Sequence, residues 1–239
     1  MLFGACFFLV GVLSLYWAYW LGGWAWLLLW PGACYLALAA AYFGLGPGVF
    51  GKRPDGTTSL AATIFLAPYL VPYWIGYVFV IWWTRHIRGE EDCHELIPGV
   101  WVARRLQPGE YPVEVERVVD LTCEYAEPPA IVSRVDYRSF PILDGHVPPL
   151  GPLVQLIDEM EVDPKPTLIH CAIGHGRTGL IAVALLLRRG LAKDVEEAIR
   201  MAQAVRFGIR LNGTQREVAR QFAASLGENR RSDTMETSA

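Results

Sequence analysis

The stretch His170-Cys171-Ala172-Ile173-Gly174-His175-Gly176-Arg177-Thr178-Gly179 sets a cysteine before an arginine with five residues between them, two of them glycine. The apolar run Thr167-Leu168-Ile169 precedes it and a helix-like run, 180–189, follows. A strand that turns through such a loop into a helix aims several backbone N–H groups at one point, which makes an oxyanion site at a helix N-terminus. Cys171 is expected at the base of that site and Arg177 at its rim. The positive field of loop, helix end and guanidinium favours a thiolate, and Arg177 can grip two phosphate oxygens at once. These are the parts needed for nucleophilic attack on a phosphomonoester.

Outward from the loop, strand-like and helix-like segments alternate. Residues 96–103 read as a turn and an entering strand, 117–121 as a second strand and 137–143 as a third extended run. Residues 167–169 are short and wholly apolar, as a central parallel strand would be. Leu153, Leu156, Ile157 and Met160 have helical spacing, and further helices are predicted over 178–189, 193–205 and 214–226. This alternation predicts an α/β fold, a central mostly parallel sheet flanked by helices, with the loop at a strand's C-terminal end. Residues 228–239 are polar and predict a disordered tail.

The chain is 53% hydrophobic over 239 residues, too apolar for one ordinary soluble domain. The excess lies at the front, where 2–45 and 60–83 hold no charged residue. About 20 apolar residues span a bilayer, so about three transmembrane α-helices are expected: two within 2–21 and 24–45, joined at Gly22-Gly23, and one over 60–83, kinked at Pro68 and Pro72. A cleaved signal peptide fits poorly, since no basic segment precedes the apolar run. The predicted organisation is a membrane region over 1–84, a juxtamembrane linker over 85–95, a catalytic domain over 96–227 and the tail. Three spans put the N-terminus on the opposite side from the catalytic domain. Arg85, Arg88, Arg104 and Arg105 lean that domain toward the cytoplasm, as does a thiolate's need for a reducing compartment. A net charge of -3 gives no reason to expect nucleic acid as a partner.

The segment around Cys171 resembles the cysteine-dependent protein tyrosine phosphatases, with the small atypical dual-specificity enzymes and their lipid-directed relatives as the closest branch. The resemblance covers roughly 97–226 and rests on the Cys-x5-Arg signature with its leading His and trailing hydroxyl. It implies a dual-specificity-phosphatase-like fold and a cysteinyl-phosphate mechanism. Cys171 is then the nucleophile, Arg177 the phosphate ligand, Thr178 the hydroxyl that supports the departing sulfur, and His170 a residue that holds the loop. Ala172, Ile173, Gly174, His175 and Gly176 line the phosphate. Asp144, in Phe140-Pro141-Ile142-Leu143-Asp144-Gly145-His146-Val147-Pro148-Pro149, matches the family's general-acid loop, with Asp136 and Asp158 as weaker stand-ins. Gln215 matches a residue that some members place beside the site to orient water or substrate.

Arg206-Phe207-Gly208 departs from the Arg-Pro-Gly of close relatives, which is expected to reshape that edge. The variable loop positions carry no lysine, which disfavours polyphosphorylated inositides. The substrate is expected to be a phosphoprotein or a phospholipid monoester. The five cysteines form no metal or disulfide spacing, and no metal or organic cofactor is expected; Cys123 is a candidate redox partner of Cys171. A phosphate-binding scaffold and a sulfur-transfer or arsenate-reductase-like enzyme are the alternatives.

Overall fold

The computed structural model of the chain describes residues 2–236, with side chains through Gly227. The uncharged front folds as a hairpin of α1 (Leu2–Leu21) and α2 (Leu29–Ala40), joined by a tight helical turn over Gly23–Leu28. Further tight turns (Ala41–Leu45 and Pro47–Phe50) lead through a loop to α3 (Leu60–Phe65) and α4 (Ala67–His86). Two glycines with positive φ, Gly46 at 74° and Gly51 at 65°, let this connection reverse direction where a side chain would be strained.

The second part begins with the hairpin β1 (Cys93–Ile97) and β2 (Val100–Ala103), then β3 (Arg117–Asp120), α5 (Pro129–Val132), β4 (Asp136–Ser139), α6 (Leu150–Val162) and β5 (Thr167–His170). Helices α7 (Gly176–Arg188), α8 (Val195–Val205) and α9 (Gly213–Glu236) close the chain. The strands form one sheet in the order β1-β2-β5-β3-β4, with only the β1–β2 pairing antiparallel. His170 lies opposite Ala103 of β2 and Asp120 of β3, so three strand ends meet at the level of the loop. β5 is buried along its whole length, as its unbroken apolar run requires. The main core lies between the sheet and α6, α7, α8 and α9. Asp194 caps α8 by accepting from the Glu197 N–H at 2.8 Å.

Three expectations change. Among the described residues two helical stretches, Leu2–Leu21 and Gly23–Leu45, are long and apolar enough to cross a membrane, rather than three. The segment over 60–83 is interrupted at Leu66, carries prolines at 68 and 72, and is diluted by the aromatic residues with which α4 packs on the second part of the chain. The sheet also starts at Cys93, inside the expected linker. Finally α9 runs to Glu236 and takes in 228–236 of the expected tail, with no Pro or Gly after Gly227 to stop it; the last three residues lie outside the described range.

Candidate active site

Cys171 follows directly on β5 and is 4% exposed. The loop then turns through Gly174, whose φ of 79° and whose close approach to the Ala103 carbonyl, where a Cβ would collide, leave room only for glycine. The peptide joining Ile173 to Gly174 is held from both sides. Arg206 donates to the Ile173 carbonyl at 3.1 Å, and the Gly174 N–H donates to Cys171 Sγ at 3.2 Å. In a planar trans peptide, fixing the carbonyl outward fixes the N–H inward. Arg206 also holds the Gly174 carbonyl at 3.1 Å, turning the next peptide the same way. The buried Arg206 thus turns the Gly174 N–H toward the sulfur, a role with no counterpart in the sequence reading of that segment.

Arg177, in the first turn of α7, is 2% exposed. It makes a bidentate pair with Glu124, Nη1 to Oε2 at 3.0 Å and Nη2 to Oε1 at 2.6 Å, and donates to the Ile142 carbonyl at 3.0 Å. Burial works against both charges. The pairing overrides it, holding Glu124 below the usual carboxylate range and Arg177 well above the usual guanidinium value. The sulfur of Cys171 lies near enough to add to the field on Arg177. Asp144 sits 55% exposed with Oδ1 3.2 Å from Arg177 Nη2, so the expected acid and the expected phosphate ligand share one place. Neither Asp136 nor Asp158 does: Asp136 pairs with Arg117 and Lys165, and Asp158 pairs with Arg188.

Gln215 is buried beside the start of α7 and donates to the His146 carbonyl at 3.3 Å; Asn212 donates to the Gly145 carbonyl at 2.8 Å. Together they tie the loop that carries Asp144 to the front of α9. The Thr178 hydroxyl is fully buried and has no protein partner. His170 is buried, with Nδ1 3.4 Å from the Cys171 carbonyl and Nε2 3.9 Å from Asp120. His175 turns to the side, 2.8 Å from Glu90. Glu90 also pairs with Arg206 at 3.0 Å, and these partners hold its carboxyl below the usual range although burial opposes it. Ala172 is buried and Ile173 half-buried in the same loop, and Gly176 lies against the Gln215 amide. Phe207 is exposed between the guanidinium groups of Arg88 and Arg210, at 5.5 and 4.9 Å from its ring centre.

The front of the chain also reaches this centre. Tyr42 donates to the Asp144 carbonyl at 3.0 Å, and Tyr73 donates to Glu124 Oε1 at 3.0 Å. Lys52, from the loop between the hairpin and α3, is buried and donates to Asp120, to Thr122 at 3.0 Å and to the Tyr125 carbonyl at 2.7 Å. Asp120, Glu127 and His170 bring their ligand atoms within 4.8 Å of one another, a spacing that could hold a metal ion. The Lys52 ammonium already stands on Asp120 there, so the cluster has its cation. Cys123 points its thiol at Glu124 (3.3 Å) and the Ile142 carbonyl (3.7 Å), and burial pushes that thiol well up.

No protein-family model matches the chain. Over 85 residues it is 38% identical to a protein of Invertebrate iridescent virus 6 named as a tyrosine phosphatase, 197R. The match takes in 31% of this chain and 32% of the viral protein, so the chain spans about a third of the length of that relative. Among solved structures, Tk-PTP in its active form superposes with a TM-score of 0.50 at 26% identity, covering 56% of this chain and 97% of its own. A single-residue variant of human DUSP28 gives 0.50 at 19% identity, and PTPMT1 in complex with PI(5)P gives 0.51 at 17%; each covers 58% of this chain and 99% of its own. The last two are similar in fold alone.

Proposed function

We propose, from a chain whose sheet and flanking helices make it a tyrosine and dual-specificity phosphatase-like protein, that it is a membrane-anchored phosphomonoester hydrolase working through a cysteinyl phosphate. The observation that carries this reading is the Ile173–Gly174 peptide, clamped by Arg206 with its N–H on Cys171 Sγ. A donor aimed at sulfur stabilises a thiolate and, once phosphate is bound, meets its oxygens.

In the first step Cys171 Sγ forms a bond to phosphorus as the ester P–O bond breaks, and Asp144 gives its proton to the leaving oxygen. Arg177 meets the charge on the equatorial oxygens. In the second step water attacks phosphorus, Asp144 takes the water's proton and the S–P bond breaks. The unpartnered Thr178 hydroxyl is free to donate to the departing sulfur. Gln215, tied to the acid loop, would orient the water.

The hairpin of two apolar helices long enough to cross a membrane supports anchoring and favours a bilayer-resident substrate, a lipid phosphomonoester. PTPMT1, a fold neighbour, was solved with PI(5)P. The test is turnover by the detergent-solubilised full chain on a panel of phosphopeptides and phospholipid monoesters. Hydrolysis without added metal, blocked by vanadate and indifferent to chelators, is expected. Activity lost to a chelator and restored by a divalent cation would overturn it.

A further inference from the structure

Helix α4 carries two faces that call for different partners. Leu70, Tyr73, Trp74, Tyr77 and Thr84 form one stripe. From it Tyr73 and the Trp74 indole N–H reach Glu124, at 3.0 and 3.2 Å, and Tyr77 reaches the Arg105 carbonyl at 3.3 Å. Arg85, in the last turn, pairs with Asp92 at 2.5 Å and Glu110 at 3.3 Å. These contacts follow the sheet order. Glu124 lies just beyond β3, Arg105 just beyond β2, and Asp92 just before β1, whose start pairs with the end of β2. β5, which delivers Cys171, lies between β3 and β2. The helix therefore runs across the C-terminal edge of the parallel strands, over the catalytic loop.

The other stripe is Val71, Ile75, Val78, Phe79, Trp82 and Trp83, on one helical face by its spacing. These side chains are exposed by between 45% (Trp83) and 66% (Ile75). From Tyr73 to Arg85 the inner face stays on the catalytic domain for about 18 Å at 1.5 Å per residue. A helix pinned along that length to a domain with ion pairs beside it has no part free to cross a bilayer. It can lie on one.

We infer that α4 lies in the plane of the membrane surface, that the bilayer covers its Val71–Ile75–Phe79–Trp82 stripe, and that the catalytic loop is thereby held facing the headgroups. Three observations name lipid as the occupant. The helix that carries the stripe starts against the hairpin, since Leu66 and Leu70 at its first turn pack with Cys34 and Leu38 of α2 in one apolar cluster. It is rich in tryptophan, the residue of membrane interfaces. It is followed by Arg88, an exposed cation suited to anionic headgroups. With α4 in the plane and the hairpin crossing out and back, both chain termini are on the catalytic side, since Phe3 at the start of α1 already lies against Gly145 of the acid loop. This reverses the N-terminal side expected from three spans. The inference rests on the membrane anchoring proposed above.

The test uses the full chain in its membrane. A photoactivatable phenylalanine at Ile75 or Phe79 should crosslink to lipid, and tags at the two termini should be protected or cleaved together by protease added from one side. Phe79→Glu should raise KM for a phospholipid monoester in vesicles about tenfold and leave soluble aryl phosphate turnover unchanged. Termini on opposite sides, or crosslinks to a second copy of the chain in place of lipid, overturn the inference while leaving the hydrolase reading intact. A chain that washes off membranes overturns the anchoring and the inference together.

Discussion

Helices α1 and α7 have the same apolar character and opposite surroundings. α7 buries eleven of its thirteen residues, Arg177 through Leu187, with Leu180 and Leu185 fully enclosed. α1 buries only Gly4, Gly11 and Ala18, and turns Phe8, Leu9, Leu13 and Trp17 outward. The buried three recur every seven residues; Gly11 faces α2 and Gly4 the turn that follows it. A Cβ on Gly11 would meet Leu36 at 2.8 Å, and one on Gly32 would meet Leu15 at 2.6 Å. Small residues inside and large ones outside are how helices pack in lipid, where close approach drives association. α7 packs as helices do in water. Hydrophobicity alone does not tell the two apart; the placement of the smallest residues does.

The largest expected effect lies wholly in the water-packed part. Cys171→Ser should cut turnover by about 10⁴-fold or more, since a hydroxyl without a nearby base is a poor nucleophile. Vanadate binding by calorimetry should persist, and its loss would mean a collapsed loop rather than a missing nucleophile. Asp144→Asn should slow alkyl phosphates by about 10²–10⁴-fold and activated aryl phosphates much less, because a good leaving group needs no proton. Equal losses on both would remove Asp144 from the acid role.

Lys52→Met strikes the seam between the two regions. It leaves Asp120 buried without its ammonium, a change that costs about 3–5 kcal/mol, measured by thermal unfolding in detergent. Burial alone would raise the Asp120 pKa; Lys52, aided by His170, holds it well below the usual carboxylate range. A depressed folded value contributes stability that is complete above the unfolded pKa of about 3.9 and is lost as pH falls through the folded one. The margin of wild type over Lys52→Met should accordingly be largest at high pH, where the variant must ionise a buried, unpaired Asp120, and shrink steadily as pH falls. Lys52→Met with Asp120→Asn should recover part of the loss.

The comparison itself is broken or sharpened by a pair. Leu185→Ala in α7 should cost about 2–5 kcal/mol, and Leu9→Ala in α1, 58% exposed, about 0.5 kcal/mol or less. Similar costs would mean that α1 is a core helix. Smallest is Tyr73→Phe. It removes one hydrogen bond to the Glu124–Arg177 pair and should lower kcat about tenfold with KM within about twofold, as expected for a group that positions the phosphate ligand.

The sequence made the loop at Cys171 legible because its meaning is local: strand, glycines, arginine and hydroxyl stand within a dozen residues. That Asp144 lies beside Arg177 was expected from the prolines that follow it, and the flanking helices were legible through their periodicity. Glu124, Lys52, Tyr73 and Arg206 were not. Each acts on partners at least 32 residues away that only the folded chain brings near. The stretch over 60–83 was counted as a third span from its lack of charge, yet it falls short of a span in hydropathy and one of its faces packs on the ends of the strands.

The bond from Lys52 to Asp120 also fixes an order of events. Chains emerge from the N-terminus at about 5–20 residues per second, so Lys52 is made 68 residues before its carboxylate. The strand ends therefore close onto a lysine that is already made, and any displacement of the front of the chain from the sheet leaves a fully buried carboxylate without its cation.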